Sequence, residues 1–248
     1  MEPRATQRAL RGLFSRWGRP QQLRVDNGPP WGSRGDLPTD LVLWLAGLGV
    51  AVRANPPRRP QANGVVERSQ GVGKSWAEPD QCGSAAELQK HLEVVDRWQR
   101  ELYPAVAGRS RWEADPGLRH SGHPYVPANE PRTWDLRKVW DLLASYLVPR
   151  QVSPQGKVSL YNRPYSVGLW WAGRTIWVGF DPDQGAWTFQ DEQGHEIRRQ
   201  VATELSPERI QTLEVTNRRR GCHAAKPPGR SKAAKPRDRS RAAKPTGQ

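Results

Sequence analysis

The chain has 248 residues, a net charge of +14 and only 35% hydrophobic residues, with 23 Gly and 23 Pro interrupting the apolar runs. No apolar run approaches the roughly 18 residues of a membrane helix, no N-terminal segment indicates export, and two cysteines fit neither a disulfide framework nor a zinc site. We therefore expect a soluble, cytoplasmic protein that associates with no membrane and whose modest core is filled largely by the twelve Trp.

Residues 1–80 alternate between helix and strand patterns. The first predicted helix has four apolar residues on one face, and Gly18 and Pro20 end it. These apolar residues are Leu10, Leu13, Phe14 and Trp17. A strand, a helix, a strand and a helix follow, with the sequences QQLRV, LPTDLVLWLAGLG, VAVRA and Asn63 to Trp76. This order is typical of an α/β fold.

Residues 81–147 are predicted to form a helical region and linker. Ser84 and Glu87 have the spacing of a capping box, and the apolar stripe after them predicts a long amphipathic helix over 85–102. Residues 104–134 are rich in Pro, Gly and His, so we expect a linker or irregular loop there. The sequence WDLRKVWDLLASYL then predicts a short helix.

Between residues 148 and 205 the apolar period changes to two. Five short alternating segments are separated by strong turn formers; they are KVSLY, PYSVG, RTIWVGF, AWTFQD and HEIRRQ. Short strands at this spacing predict a small all-β barrel with a basic outer aspect near Arg198 and Arg199.

Residues 206–248 are predicted to form a basic low-complexity tail. From Arg218 to Gln248 there are eleven Lys or Arg and one acid, and the tetrapeptide AAKP occurs three times. Such a segment cannot bury enough apolar surface to offset chain entropy, so we expect disorder. In one interpretation the cations of the tail, beginning with Arg218, Arg219 and Arg220, contact the phosphates of nucleic acid. In the other, the tail only aids solubility.

Two carboxylates have surroundings that suggest chemistry. Asp26 ends a predicted strand in LRVDNGPPWG, although Asp-Asn-Gly is also ordinary turn sequence. Glu67 lies on the predicted helix opposite an expected buried stripe and in line with Lys74. The stripe consists of Val65, Ser69, Val72 and Trp76. Carboxylates that hold Mg²⁺ would suit phosphoryl transfer on DNA, whereas Glu67 alone also fits an exposed residue paired with a neighbouring cation.

The stretches LRVDNGPPW and LAGLGVAVRANPPRRPQANGVVERSQ resemble the second half of the catalytic core of retroviral-type integrases and bacterial insertion-sequence transposases. The resemblance covers about residues 5–76 and implies a partial ribonuclease H-like core. The predicted barrel over 148–203 is also similar to the C-terminal barrel of bacterial transposases, which implies an SH3-like barrel. It implies DNA integration or transposition by metal-dependent strand cleavage and transfer, with Mg²⁺ or Mn²⁺ as cofactor. The implied partners are transposon ends and target DNA, bound by a homo-oligomer associated with the nucleoid.

The resemblance also implies roles for individual residues. Asp26 matches the second acid of an Asp-Asp-Glu triad and Glu67 the third, so both are implied catalytic residues and metal ligands. Asn63 matches the turn that opens the catalytic helix, and Lys74 matches a DNA-contacting position. Arg58 and Arg59, in the loop before that helix, either hold a phosphate or are simply solvated.

The chain departs from this family in two places. The segment WGSRGDLPTD is a small insertion between Asp26 and Glu67. The family's first Asp has no counterpart, because Glu2 is the sole acid among the first 25 residues. We therefore expect an N-terminally truncated integrase-type chain with impaired strand transfer. The alternatives are a non-catalytic DNA-binding remnant or regulator of a full-length transposase, and a basic-tailed structural nucleic-acid binder.

Overall fold

A computed structural model describes residues 2–32, 37–56 and 64–216, and it is mixed α/β. The first elements are three helices and two short strands, in the predicted order. They are α1 (Pro3–Trp17), β1 (Gln22–Val25), α2 (Asp40–Gly47), β2 (Ala51–Ala54) and α3 (Gly64–Trp76). Strand β1 pairs in parallel with β2, with Leu23 opposite Val52, so the carboxyl ends of both strands lie at one edge.

Helix α1 packs on the core through a narrow stripe. Leu10 and Phe14 are buried, but Leu13 is 51% exposed, so the prediction that it belongs to the buried face is wrong. The buried residues run through Thr6, Leu10 and Phe14, and Leu13 falls at the edge of that stripe. Gly18, with a φ of 77°, ends the helix as predicted.

Helix α2 forms the centre of the core. Its apolar residues Leu41, Leu43, Trp44 and Leu45 are each at most 1% exposed, which is typical of a helix surrounded by other elements. Gly47 is required here, because a Cβ at this position would lie 2.0 Å from the Trp134 ring. The Trp134 ring in turn donates its Nε1–H to the Trp44 carbonyl at 2.9 Å.

The helices that follow are α4 (Ala85–Glu101), α5 (Arg111–Ala114), α6 (Glu130–Thr133) and α7 (Leu136–Ala144). The predicted cap of α4 is confirmed, since Ser84 Oγ accepts the Glu87 backbone N–H at 3.2 Å. The Glu87 carboxylate accepts from Gly83 at 2.8 Å, one residue earlier than in a standard capping box.

Residues 104–134 contribute to the core rather than forming only an irregular loop. Tyr125, Glu130 and Trp134 are all buried. Glu130 accepts hydrogen bonds from Arg11 at 2.6 and 3.0 Å, from Trp44 Nε1 at 2.9 Å and from the Tyr125 hydroxyl. This buried carboxylate therefore ties α1 and α2 to α6.

The later strands are β3 (Val148–Gln151), β4 (Lys157–Leu160), β5 (Arg163–Ser166), β6 (Thr175–Asp181), β7 (Ala186–Gln190) and β8 (Glu196–Val201). The five predicted strands are confirmed, whereas β3 was not predicted because Pro149 interrupts its pattern. Within the described ranges, an antiparallel sheet of order β3-β6-β7-β8 lies beside a β4–β5 hairpin. Closure of these strands into a barrel stays a prediction.

Residues 206–216, which the sequence assigns to the tail, fold onto the N-terminal helices. Ser206 caps α8 (Pro207–Gln211), and Ile210 and Val215 are buried. Thr216 donates through its N–H at 3.0 Å and its hydroxyl at 2.7 Å to the buried Asp40 carboxylate. In the part of the chain that is described, no helix has the length and hydropathy needed to cross a membrane.

Candidate metal and DNA site

Asp26 follows β1 at the edge where both parallel strands end. In α/β folds, ligands bind at the carboxyl ends of parallel strands. The Asn55 backbone N–H donates to the Val25 carbonyl at 2.8 Å, and Asn27 Nδ2 donates to the Asn55 carbonyl at 2.9 Å. These bonds fix the backbone on both sides of Asp26, whose own side chain is exposed.

The turn after Asp26 is tight and depends on Gly32. The N–H groups of Trp31 and Gly32 donate to the Gly28 carbonyl at 3.0 and 3.1 Å. A Cβ on Gly32 would lie 2.3 Å from the Asn27 carbonyl oxygen. Asp26 is therefore a turn residue, as its sequence suggests, and also an exposed carboxylate at a strand end.

A cleft of about 300 Å³ opens beside Asp26. Both polar and apolar residues line it, with Trp31, Val52 and Tyr146 among them. Trp31 comes from the turn, Val52 from β2 and Tyr146 from the connection after α7. The Asp26 carboxylate is therefore presented at the mouth of a partly apolar pocket.

Two arginines beside Asp26 were not predicted as site residues. Arg24 of β1 and Arg53 of β2 are partners in the parallel register, and both are exposed. Neighbouring strands are about 4.8 Å apart, so the two side chains start from adjacent positions on one face of the sheet, where like charges repel. An anion between them, such as a DNA phosphate, would relieve this repulsion. That Arg24 lies opposite Arg53 depends on the register of β1 and β2, so neither stretch of sequence alone predicts it.

Glu67 and Lys74 lie on α3, in its first and last turns, and both side chains are exposed. The predicted buried stripe of this helix is wrong in part, because Ser69 is exposed and Trp76 is 38% exposed. Helix α3 packs mainly on α4, where the Trp76 ring lies 4.8 Å from the Trp98 ring.

Among the described residues, no hydrogen bond or ion pair joins Asp26 to Glu67, and neither carboxylate is paired with a cation. Across residues 2–32, 37–56 and 64–216, no group of three or more His, Cys, Asp or Glu could hold a metal ion. The two carboxylates have the oxygen chemistry that Mg²⁺ prefers and are free to bind it.

Several predicted DNA-binding residues lie outside the described residues. They are Arg58, Arg59, Asn63, Arg218, Arg219 and Arg220. The same holds for the tail from residue 217 onward. Their roles stay predictions.

No protein-family model matches the sequence. A chain of a cryo-EM structure of the simian T-cell lymphotropic virus intasome in complex with PP2A regulatory subunit B56 gamma is 21% identical to this chain, with a TM-score of 0.38. The match covers 51% of this chain and 44% of that chain, so it spans less than half of the other protein. A similarity this low does not establish a common fold.

Proposed function

We propose that this chain belongs to the integrase-type transposases and carries the second and third carboxylates of a metal-dependent DNA strand-transfer site. The observation that carries the proposal is Asp26 at the carboxyl end of a parallel βαβ unit, followed by a helix with Glu67 in its first turn. Both positions agree with the order of elements that the motifs DNG and PQANGVVER imply. The ribonuclease H-like fold is part of this proposal.

Asp26 and Glu67 would hold Mg²⁺ through their carboxylate oxygens. When bound, Mg²⁺ supplies activation of the attacking oxygen and charge stabilisation for the leaving oxygen. The chain's own contribution is to fix Asp26 through the Asn27–Asn55 hydrogen bond and to bring phosphates to Arg24 and Arg53. Lys74, in the last turn of the Glu67 helix, would add a further phosphate contact.

A strand-transfer assay on DNA oligonucleotides with Mg²⁺ or Mn²⁺ tests this proposal. We expect weak, metal-dependent joining, because only two carboxylates of the triad are in this sequence. Asp26→Asn and Glu67→Gln should each abolish it, while Glu93→Gln, which removes an exposed helix carboxylate on α4, should not. Joining that survives both site substitutions would contradict the proposal.

A second candidate is a DNA-binding protein without catalysis, either a remnant or a regulator of a full-length transposase. It is favoured by the lack of any three-ligand metal cluster in the described parts of the chain. For this candidate we expect salt-sensitive DNA binding without joining, and weaker binding once residues 218–248 are removed. Binding unchanged by that removal would contradict a role for the tail.

A further inference from the structure

An exposed aromatic ledge lies in the β-rich part of the chain. A short 3₁₀ turn over Leu169–Trp171 leaves Leu169 72% and Trp170 77% exposed. Trp171 instead packs against the core. Large apolar side chains so exposed next to each other are a common mark of a binding surface. We call Leu169, Trp170 and Arg174 the Trp170 ledge.

Within this ledge, the Arg174 side chain lies against the Trp170 ring. The Arg174 guanidinium carbon lies 5.5 Å from the Trp170 ring centroid and 5.6 Å from that of Trp171. This cation–π arrangement limits the freedom of the Trp170 ring and keeps a positive charge beside it. The ring is therefore held on the surface although most of its area faces solvent.

Further cations adjoin the ledge through a continuous set of contacts. Gly156, with a φ of 69°, packs so closely on the start of the ledge that a Cβ would lie 2.6 Å from Gly168. The next residue, Lys157, is opposite Ser166 in the β4–β5 register. Arg198 of β8 donates to the Ser166 carbonyl at 3.1 Å. Lys157 and Arg198 are both exposed.

The charge of this region has one sign. Residues 142–180 contain four Lys or Arg and not one Asp or Glu. Within the described residues, Lys157, Arg174 and Arg198 form no ion pair, whereas Arg199 is paired with Glu196 and Asp181. A polyanion is therefore the complementary partner, and an exposed indole adds a stacking surface for a base.

From these contacts we propose that the Trp170 ledge binds single-stranded nucleic acid, with an unpaired base stacked on Trp170 and adjoining phosphates on Arg174, Lys157 and Arg198. Sequence-tolerant single-strand sites combine cations that follow the backbone with aromatic rings on which bases stack. This site shares no residue with the Asp26–Glu67 site and goes beyond strand transfer. It does not depend on whether the chain is catalytic.

The test is fluorescence anisotropy of the full chain with a labelled single-stranded DNA and with an abasic strand of equal length and charge. Wild-type protein should bind the base-bearing strand about tenfold more tightly, at a salt concentration that suppresses tail binding. Trp170→Ala should remove that preference and leave abasic binding unchanged. Trp170→Phe should keep part of the preference, and Arg174→Lys should weaken it because an ammonium cannot stack.

Two controls separate this site from general charge and from a protein partner. Arg97→Ala removes an exposed cation of α4. Any loss of affinity in this variant should be equal for the two DNA strands, so that the preference for bases is preserved. A wild-type protein without preference, or a Trp170→Ala protein that keeps it, would overturn the proposal. A Trp170→Ala protein with unchanged DNA binding but an altered sedimentation coefficient would also overturn it and would assign the ledge to self-association.

Discussion

The buried carboxylate of Glu130 depends on one cation. Glu130 is 2% exposed, and the Arg11 guanidinium donates to both of its oxygens, at 2.6 and 3.0 Å. Trp44 and Tyr125 donate as neutral groups. Replacing Arg11 with Met would keep much of the packing of its stem but leave a buried carboxylate without a counter-charge.

The magnitude follows from the burial of the two partners. Breaking a fully buried ion pair costs about 3–5 kcal/mol of unfolding free energy. The Arg11 side chain is 32% exposed, so solvent screens its charge and the loss of unfolding free energy is smaller than for a fully buried pair. We therefore expect Arg11→Met to lower the unfolding free energy by about 2–3 kcal/mol at neutral pH. That loss is a large fraction of the stability of an ordinary domain.

The loss should also depend on pH. Burial alone raises the pKa of Glu130, but the hydrogen bonds from Arg11, Tyr125 and Trp44 outweigh it and hold that pKa below its usual 4.5. The stabilisation is therefore present above pH 4.5 and is lost as the pH falls through the lowered pKa. In Arg11→Met the hydrogen bonds from the guanidinium group are lost, so burial raises the pKa of Glu130 relative to wild type and its carboxyl group protonates more easily. The difference between variant and wild type should therefore shrink toward acid pH.

Urea unfolding followed by circular dichroism, at neutral and acid pH, measures both effects. Arg137→Met is the matched control, since Arg137 has a 51% exposed side chain and pairs on the surface with Asp141 at 2.8 Å and with Asp183 at 2.9 Å. We expect this control to unfold close to wild type, because solvent screens exposed ion pairs. An Arg11→Met variant as stable as the control, or one with the same loss at every pH, would refute the reasoning.

Three further substitutions can be measured by the same urea unfolding. Gly47→Ala should destabilise by about 2–3 kcal/mol because its methyl group meets the Trp134 ring, and a wild-type midpoint would contradict that packing. Trp187→Phe removes the 2.8 Å Nε1–H bond to buried Glu204 and should cost about 2 kcal/mol; a neutral result would mean that Glu204 is solvated. Thr216→Val removes one hydroxyl bond to a carboxylate and should cost about 1 kcal/mol, whereas Thr216→Ser should stay close to wild type.

Local patterns predicted most of the elements. Helices α1 to α4 lie where the sequence predicts them, and Gly18 and Ser84 act as the sequence suggests, although the buried faces of α1 and α3 were predicted only in part. Strand β3 was missed because its four residues, Val-Pro-Arg-Gln, have one buried apolar side chain and show no alternating pattern. The role of residues 104–134 was missed for another reason: Glu130 lies in no periodic pattern, and its partner Arg11 is 119 residues away.

The candidate site could be predicted only in part. Asp26 after a strand and Glu67 on a helix follow from short motifs, and both are exposed in the structure. The pairing of Arg24 with Arg53 depends on the register of two separate strands, which neither sequence specifies alone. The Trp170 ledge was missed because Trp170 and Trp171 are adjacent in a strand-rich region, where aromatic residues are ordinarily core, and the sequence does not show that only Trp171 packs inward.

The central claim is that Asp26 and Glu67 ligate one divalent metal ion. The most direct measurement is Mn²⁺ binding to the full chain, followed by electron paramagnetic resonance, in wild type, Asp26→Asn, Glu67→Gln, the double variant and Glu93→Gln. We expect each site substitution to weaken binding at least about tenfold, the double variant to be little worse than either, and Glu93→Gln to bind as wild type. Equal, small and additive losses in all three single variants would contradict a shared ion and the account built on it.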